Sequence, residues 1–238
     1  MIKFVYILAI PLKKEKYGGS ETMEILFMGF ILGMKHALDA DHVVAVSTII
    51  TRTKSIYHSA RVGAFWGLGH TATLVLVGMG ILLFRITLPP RWNAITEFTV
   101  GAMLILLGFV VLIQLIREKI HGHYHVHKGK HHFRFHYHNE SSEHNHLHGK
   151  SFLAGTVHGL AGSAGLMLLV LSTIPFLFKG VFYILIFSFG TILGMAILGV
   201  ILKIPFKIPM LNRFLTGLVG VSSIAFGIKF IFENMYGL

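Results

Sequence analysis

Met34-Lys35-His36-Ala37-Leu38-Asp39-Ala40-Asp41-His42 lies inside an apolar run from Met23 to Ile50 and holds the only two aspartates of the 238-residue chain. An ionised carboxylate at the centre of a membrane helix costs about 2.5 to 3.5 kcal/mol on insertion scales, so a pair costs roughly twice that before either finds a partner. A segment that carries this cost has a use for it. Two imidazoles and two carboxylates within seven residues are nitrogen and oxygen donors that a divalent ion such as nickel, cobalt or zinc accepts. The expectation is an intramembrane metal site built on His36, Asp39, Asp41 and His42.

The rest of the chain is a membrane protein by composition. It is 54% apolar and 13% charged, with apolar runs near 23–50, 62–84, 94–116, 151–174, 180–202 and 211–232. That pattern predicts an all-α integral membrane protein of about six transmembrane helices. A formal charge of +11 would indicate nucleic acid as the partner of a soluble protein, but here the lysines and arginines sit mostly between the apolar runs. They read as topology signals and contacts to anionic membrane lipid, with no nucleic-acid partner. Cysteine is absent, which excludes thiolate sites and disulfides and leaves His, Asp, Glu or Met as ligands.

Four regions are expected. Residues 1–22 read as an interfacial leader, or as an upstream extension if translation starts at Met23, because Ile2–Leu12 is too short to span and lacks a small-residue cleavage site. Residues 23–116 form a first three-helix half that carries the motif, and residues 151–238 a second. Between them, residues 117–150 hold eleven of the sixteen histidines in a low-complexity loop that cannot bury a core. With the leader set aside, Lys and Arg number twelve in the connections at 51–61, 117–150 and 203–213, against four on the other side. The positive-inside rule then makes the histidine-rich loop cytoplasmic and puts both termini outside a multi-pass cell-membrane protein.

A faint repeat points to a three-plus-three inverted architecture. Gly29, Gly33 and Ser47-Thr48-Ile49 echo Gly155, Gly159 and Ser172-Thr173-Ile174, while Gly101 and Gly108 echo Gly220 and Gly227. Inverted repeats commonly hold a transporter's site at their interface, on discontinuous helices. The first segment fits this, since about 28 helical residues would measure roughly 42 Å against a hydrocarbon core of about 30 Å. On an unbroken helix His36, Asp39 and His42 share a face and Asp41 points elsewhere. Unwinding lets His36, Asp41 and His42 converge, with Asp39 orienting an imidazole or holding a proton. His70 and His158, on two other segments, fall at roughly 12 and 10 Å from the cytoplasmic face by helical rise, the depth of the motif. His158 has a second reading as a packed group hydrogen-bonded to backbone.

His36-x4-Asp41-His42, with Ala40 between the aspartates, and Leu68-Gly69-His70-Thr71 on the next segment resemble two signatures of the nickel/cobalt transporter (NiCoT/NicO) family. Longer members carry further acidic signatures in later helices; this chain has His158-Gly159-Leu160-Ala161-Gly162-Ser163 instead. In that it resembles the short branch, the urease-accessory-type nickel permeases linked with urease metallation. The resemblance implies a secondary transporter of nickel or cobalt, with the ion as substrate rather than permanent cofactor and cytoplasmic metallochaperones as candidate partners.

No G-x-x-x-x-G-K-[ST] sequence is present, so ATP hydrolysis through a P-loop is not expected of this chain. Alternating access with proton exchange is the expected mechanism, with uptake ahead of efflux; the histidine-rich loop resembles those of efflux members and keeps export as the alternative. That loop reads as a metal buffer, a collection funnel or a solvated linker. An intramembrane metallohydrolase would use His36 and His42 on zinc but lacks the H-E-x-x-H arrangement. A haem protein would use His70 and His158 as axial ligands. Enzymatic activity is not expected.

Overall fold

A computed structural model describes residues 19–53, 55–84, 90–117, 122–127, 130–135, 146–160 and 177–236. The first segment is two helices, α1 (Gly19–His36) and α2 (Ala40–Ile50), interrupted within the motif. At the break the N–H groups of Leu38 and Asp39 donate to the carbonyls of Lys35 and His36 at 2.9 and 3.1 Å, the tightened turn that closes a helix. Asp39 then takes an extended conformation, with φ −61° and ψ 146°, and becomes the N-cap of α2. One extended residue re-aims the chain, and the break expected from the segment's length is present.

The second segment, α3 (Ile56–Phe84), starts earlier than the expected Val62. Ser55 Oγ accepts a hydrogen bond from the His58 N–H at 3.2 Å, and this N-cap supports an extra turn ahead of the apolar run. His58 is half-buried in the first turn of α3, with Nδ1 2.8 Å from Ser55 Oγ. Helix α4 (Pro90–Arg117) is the third segment.

The histidine-rich loop contains regular structure that its low complexity did not predict. Strands β1 (Gly122–His127) and β2 (Lys130–Phe135) pair antiparallel, Gly122 opposite Phe135 and His127 opposite Lys130. The alternation His123-Tyr124-His125-Val126-His127 has the period of two that suits a strand. Helix α5 (His146–Gly159) then opens the fourth segment ahead of the expected Ser151. His148 stacks on Phe65 of α3 at 5.0 Å. Partial burial, then Arg61 and His58 nearby, hold its pKa below the ordinary histidine value, which favours the neutral imidazole. The fifth segment is α6 (Leu177–Lys203), and a 3-10 turn at Pro205–Lys207 leads to the sixth, α7 (Pro209–Tyr236). The leader up to residue 18, the fourth segment beyond Leu160 and Ser172-Thr173-Ile174 lie outside the described residues.

The molecule is all-α across its membrane region. Ile56–Gly80, Ala94–Arg117, Phe178–Lys207 and Leu211–Glu233 are each long and apolar enough to cross a bilayer, and the first segment contributes two shorter apolar helices. Leu76, Phe84, Leu106, Ile116, Phe189 and Phe214 are exposed, whereas Ser59, Thr71, Thr191 and Ser223 are buried. Apolar outside and satisfied polar groups inside is the arrangement that a lipid solvent favours. Helix α2 lies at the centre, with Ala45, Val46, Ile49 and Ile50 buried among Val62, Trp66, Leu104 and Met195.

Helix contacts carry the inverted repeat. Adding 126 to the first residue and subtracting 117 from the second turns the α1–α6 contact of Gly33 with Phe187 into the α5–α3 contact of Gly159 with His70. The same shifts turn Gly29–Tyr183 into Gly155–Trp66, and Phe30–Gly190 into Thr156–Thr73. Between α4 and α7, Gly101 packs on Gly227 and Gly108 on Gly220, two contacts that exchange under a shift of 119. The described parts of three pairs of segments thus map onto each other.

Glycine is what permits these approaches. A Cβ on Gly33 would collide with the Phe187 carbonyl, and one on Gly155 with the Trp66 carbonyl, both backbone atoms that cannot rotate away, whereas a Cβ on Gly80 meets nothing. Gly33→Ala and Gly155→Ala are expected to lower stability by about 1 to 3 kcal/mol. Gly80→Ala should be neutral or stabilising by up to about 1 kcal/mol from helix propensity. Denaturation midpoints of the purified protein in one detergent check this; equal midpoints for all three variants would contradict the packing.

Candidate metal centre

Three segments deliver their polar side chains to one point. His36 ends α1, Asp41 and His42 open α2, His70 lies midway along α3, and His158 lies near the end of α5. The α3–α5 contacts of Gly155 and Gly159 bring His158 to the depth of His70, and the break brings the start of α2 to both. His42 and His70 are fully buried and His158 is 1% exposed, so these imidazoles are cut off from water.

Hydrogen bonds constrain the proton positions. His36 Nδ1 lies 2.8 Å from Asp39 Oδ2, and His36 Nε2 lies 3.1 Å from His70 Nε2. An ionised Asp39 accepts from Nδ1, so in a neutral His36 ring Nε2 is an acceptor and His70 donates to it. His70 Nδ1 is then a bare lone pair, and it has no partner. His158 Nε2 donates to Asp41 Oδ2 at 2.9 Å, which leaves His158 Nδ1 likewise without a partner. Neither ring nitrogen of His42 makes a hydrogen bond; Nδ1 stands 3.4 Å from Asp41 Oδ1. Buried nitrogens without partners cost stability and call for an explanation. A Lewis acid is one.

Two groups of donors are close enough to hold an ion: His36, His42 and His70; and Asp41, His42 and His158, each offering one atom with all atoms of a group within 4.8 Å. Donors around a tetrahedral ion stand about 3.3 Å apart for bonds of about 2.0 Å, so side-chain rotation would close either group. The His42 ring centroid is 4.7 Å from that of His36, 4.9 Å from His70 and 4.4 Å from His158.

All six residues expected at the site are within this cluster or directly attached to it. Asp39 stands on the outer nitrogen of His36, the orienting position. His158 does not bond to backbone through Nε2, as its second reading had it, but to Asp41. Lys35 is exposed. Two aromatic walls were not anticipated: Phe187 of α6, 5.7 Å from the His36 ring, and Trp66 of α3, 5.6 Å from the His158 ring. Both read as ordinary apolar packing, and nothing in their local sequence marks them.

Comparison with known proteins adds relatives. The chain is 37% identical over 218 residues to the urease accessory protein UreH of Bacillus sp. (strain TB-90), covering 90% of this chain and 92% of that protein. Two Arabidopsis thaliana proteins, the chloroplast proteins FOR GROWTH AND FERTILITY 2 and 1, are each 25% identical, over 92% and 88% of this chain; in both cases the match spans 59% of the plant protein. No family model matches the chain. No solved structure is significantly similar to it.

The Asp41–His158 pair gives a stability test. Asp41→Leu strands a buried imidazole at a cost of about 1 to 3 kcal/mol, and His158→Leu strands a carboxylate at about 3 to 5 kcal/mol. Replacing both with leucine should return stability to within about 1 kcal/mol of wild type, since apolar groups can substitute for a buried pair. Denaturation of the four proteins in one detergent decides; a double variant no better than the worse single variant would mean that the pair is not coupled.

Proposed function

The chain belongs to the family of the urease accessory protein UreH, and we propose that it is a secondary carrier moving nickel or cobalt ions through the cytoplasmic membrane. The observation that carries this reading is the cluster of four buried imidazoles and a half-buried carboxylate at the broken helix of an inverted repeat. Neutral imidazoles and a carboxylate are borderline donors suited to nickel, cobalt and zinc rather than to magnesium or calcium, which prefer all-oxygen shells. The site's position at the interface of the two halves supports alternating access, in which rocking of one half on the other exposes the ion to each side in turn.

His36, His42, His70, His158 and Asp41 are the proposed ligands, with Asp39 fixing the His36 ring. A neutral imidazole binds through its lone pair, so an entering ion breaks the His36–His70 hydrogen bond and takes a lone pair of each ring, while each ring keeps its own proton. Uptake is the favoured direction, in line with the short branch of the family and its link with urease metallation. The charge bias of the connections supports a cytoplasmic position for the histidine-rich loop, where it would buffer the ion and hand it to metallochaperones.

Radioactive nickel and cobalt flux in cells tests this. Wild type should raise accumulation, and Asp41→Asn or His42→Ala should reduce transport to background at unchanged membrane abundance. Faster loss from preloaded cells would instead assign export, and variants with wild-type flux in both directions would remove the site. Deleting residues 122–148 should alter apparent affinity or regulation more than maximal flux; loss of all flux from properly inserted protein would put the loop in the pathway.

A further inference from the structure

The donors do not form one shell around one point. They fall into a three-nitrogen set, His36, His42 and His70, and a set of two nitrogens and one oxygen, Asp41, His42 and His158, which share only His42. Within the first set the outer pair is joined by the His36–His70 hydrogen bond at 3.1 Å, and within the second by the His158–Asp41 hydrogen bond at 2.9 Å. His42 alone stands outside both pairs, fully buried with both ring nitrogens unpartnered. We infer that the cluster is two alternative stations for a single divalent ion, and that His42 hands the ion from one to the other.

The geometry supports exchange rather than double occupancy. The outer rings of the two sets, His70 and His158, are centred 5.9 Å apart, with His42 within 4.9 Å of each. Two divalent ions that close in a water-excluded site repel strongly, and one imidazole cannot serve both without losing its remaining proton. A single ion avoids both costs. When it occupies one set, the other can re-form its internal hydrogen bond, so fewer donors are left bare than if all were released together. His42 moves the ion by a small reorientation of one side chain, while α1, α3 and α5 need not release all their donors together.

The stations also differ chemically. One is neutral apart from the Asp39 carboxylate behind His36, and the other presents the Asp41 carboxylate directly. A borderline ion accepts both donor sets, whereas an ion that demands oxygen ligands would stall at the second station. Passage through both would therefore select for ions tolerant of an all-nitrogen shell.

This inference rests on the carrier reading, and cobalt titration of the purified full-length protein separates the two. Wild type should bind one cobalt ion per chain more than His42→Phe, in which the histidine-rich loop is unchanged, and the difference spectrum should resolve into two environments. His70→Phe should keep only the nitrogen–oxygen environment and His158→Phe only the three-nitrogen one; phenylalanine is the residue that the repeat itself places opposite His70, at Phe187. If the two stations are equally populated in wild type, each variant loses affinity only about twofold while flux falls on the order of tenfold or more. His42→Phe should abolish binding at both.

Two ions more than His42→Phe, a difference spectrum of a single environment, identical spectra for the two single variants, or loss of all the cluster's binding in either would overturn the hand-off and leave one undivided site. The difference between wild type and His42→Phe decides even if His70→Phe or His158→Phe fails to fold. No cobalt or nickel bound by folded wild type beyond that held by His42→Phe would instead remove the carrier reading itself.

Discussion

The contact between His36 Nδ1 and Asp39 Oδ2 closes the break in the first segment, and the rest of the site depends on it. Asp39 caps α2 by position, yet its side chain makes no capping hydrogen bond. It is turned back onto the last residue of α1. That arrangement fixes the His36 ring and lets the chain change direction within three residues, so that Asp41 and His42 begin a new helix facing His158 and His70. A continuous helix would have pointed Asp41 away from its neighbours. The first turn of α2 also suits an anion at Asp41, because the unpaired N–H groups and positive end of the helix dipole lie there.

The cluster is costly to the fold, which argues for its use. Carboxylates taken from water into a membrane protein lose hydration that hydrogen bonds to imidazole restore only in part, and unpartnered nitrogens on His42, His70 and His158 add to the deficit. What offsets it is backbone packing: glycine contacts bring α1 against α6, α5 against α3 and α4 against α7, close approaches that supply dispersion and weak polar contacts where lipid provides no hydrophobic drive between helices. The contacts of Gly33 with Phe187 and of Gly155 with Trp66 also hold the aromatic walls in place.

Much of this was legible in the sequence, because membrane burial writes itself as apolar run length and its violations stand out. The long apolar segments, the interruption of the first and the residues of the motif follow from length, charge cost and donor chemistry. The Asp41–His158 pairing does not, since it depends on the register of α5 against α3, which small residues set and which no local pattern encodes. The start of α3 is written in Ser55, whereas Arg61 beyond it reads as the marker of a connection; a long side chain can snorkel from a helix end as readily as from a loop. The paired strands β1 and β2 are hidden in the same way, their period of two masked by the repetition of one residue type.

The scaffold is nearly symmetric and the site is not. The shift that carries α3 onto α6 sets His70 against Phe187 and Trp66 against Tyr183, so where the first half presents an imidazole the second presents an apolar ring. His158 is the second half's one ionisable donor among the described residues of the cluster. Symmetry would have doubled the motif and with it the charge to be buried, whereas a donor-rich half closed by one that adds His158 and apolar rings keeps the repeated scaffold and a single set of donors. The aromatic counterpart is therefore part of the site's construction: Phe187 closes over His36 and keeps water from the lone pairs that the first half exposes.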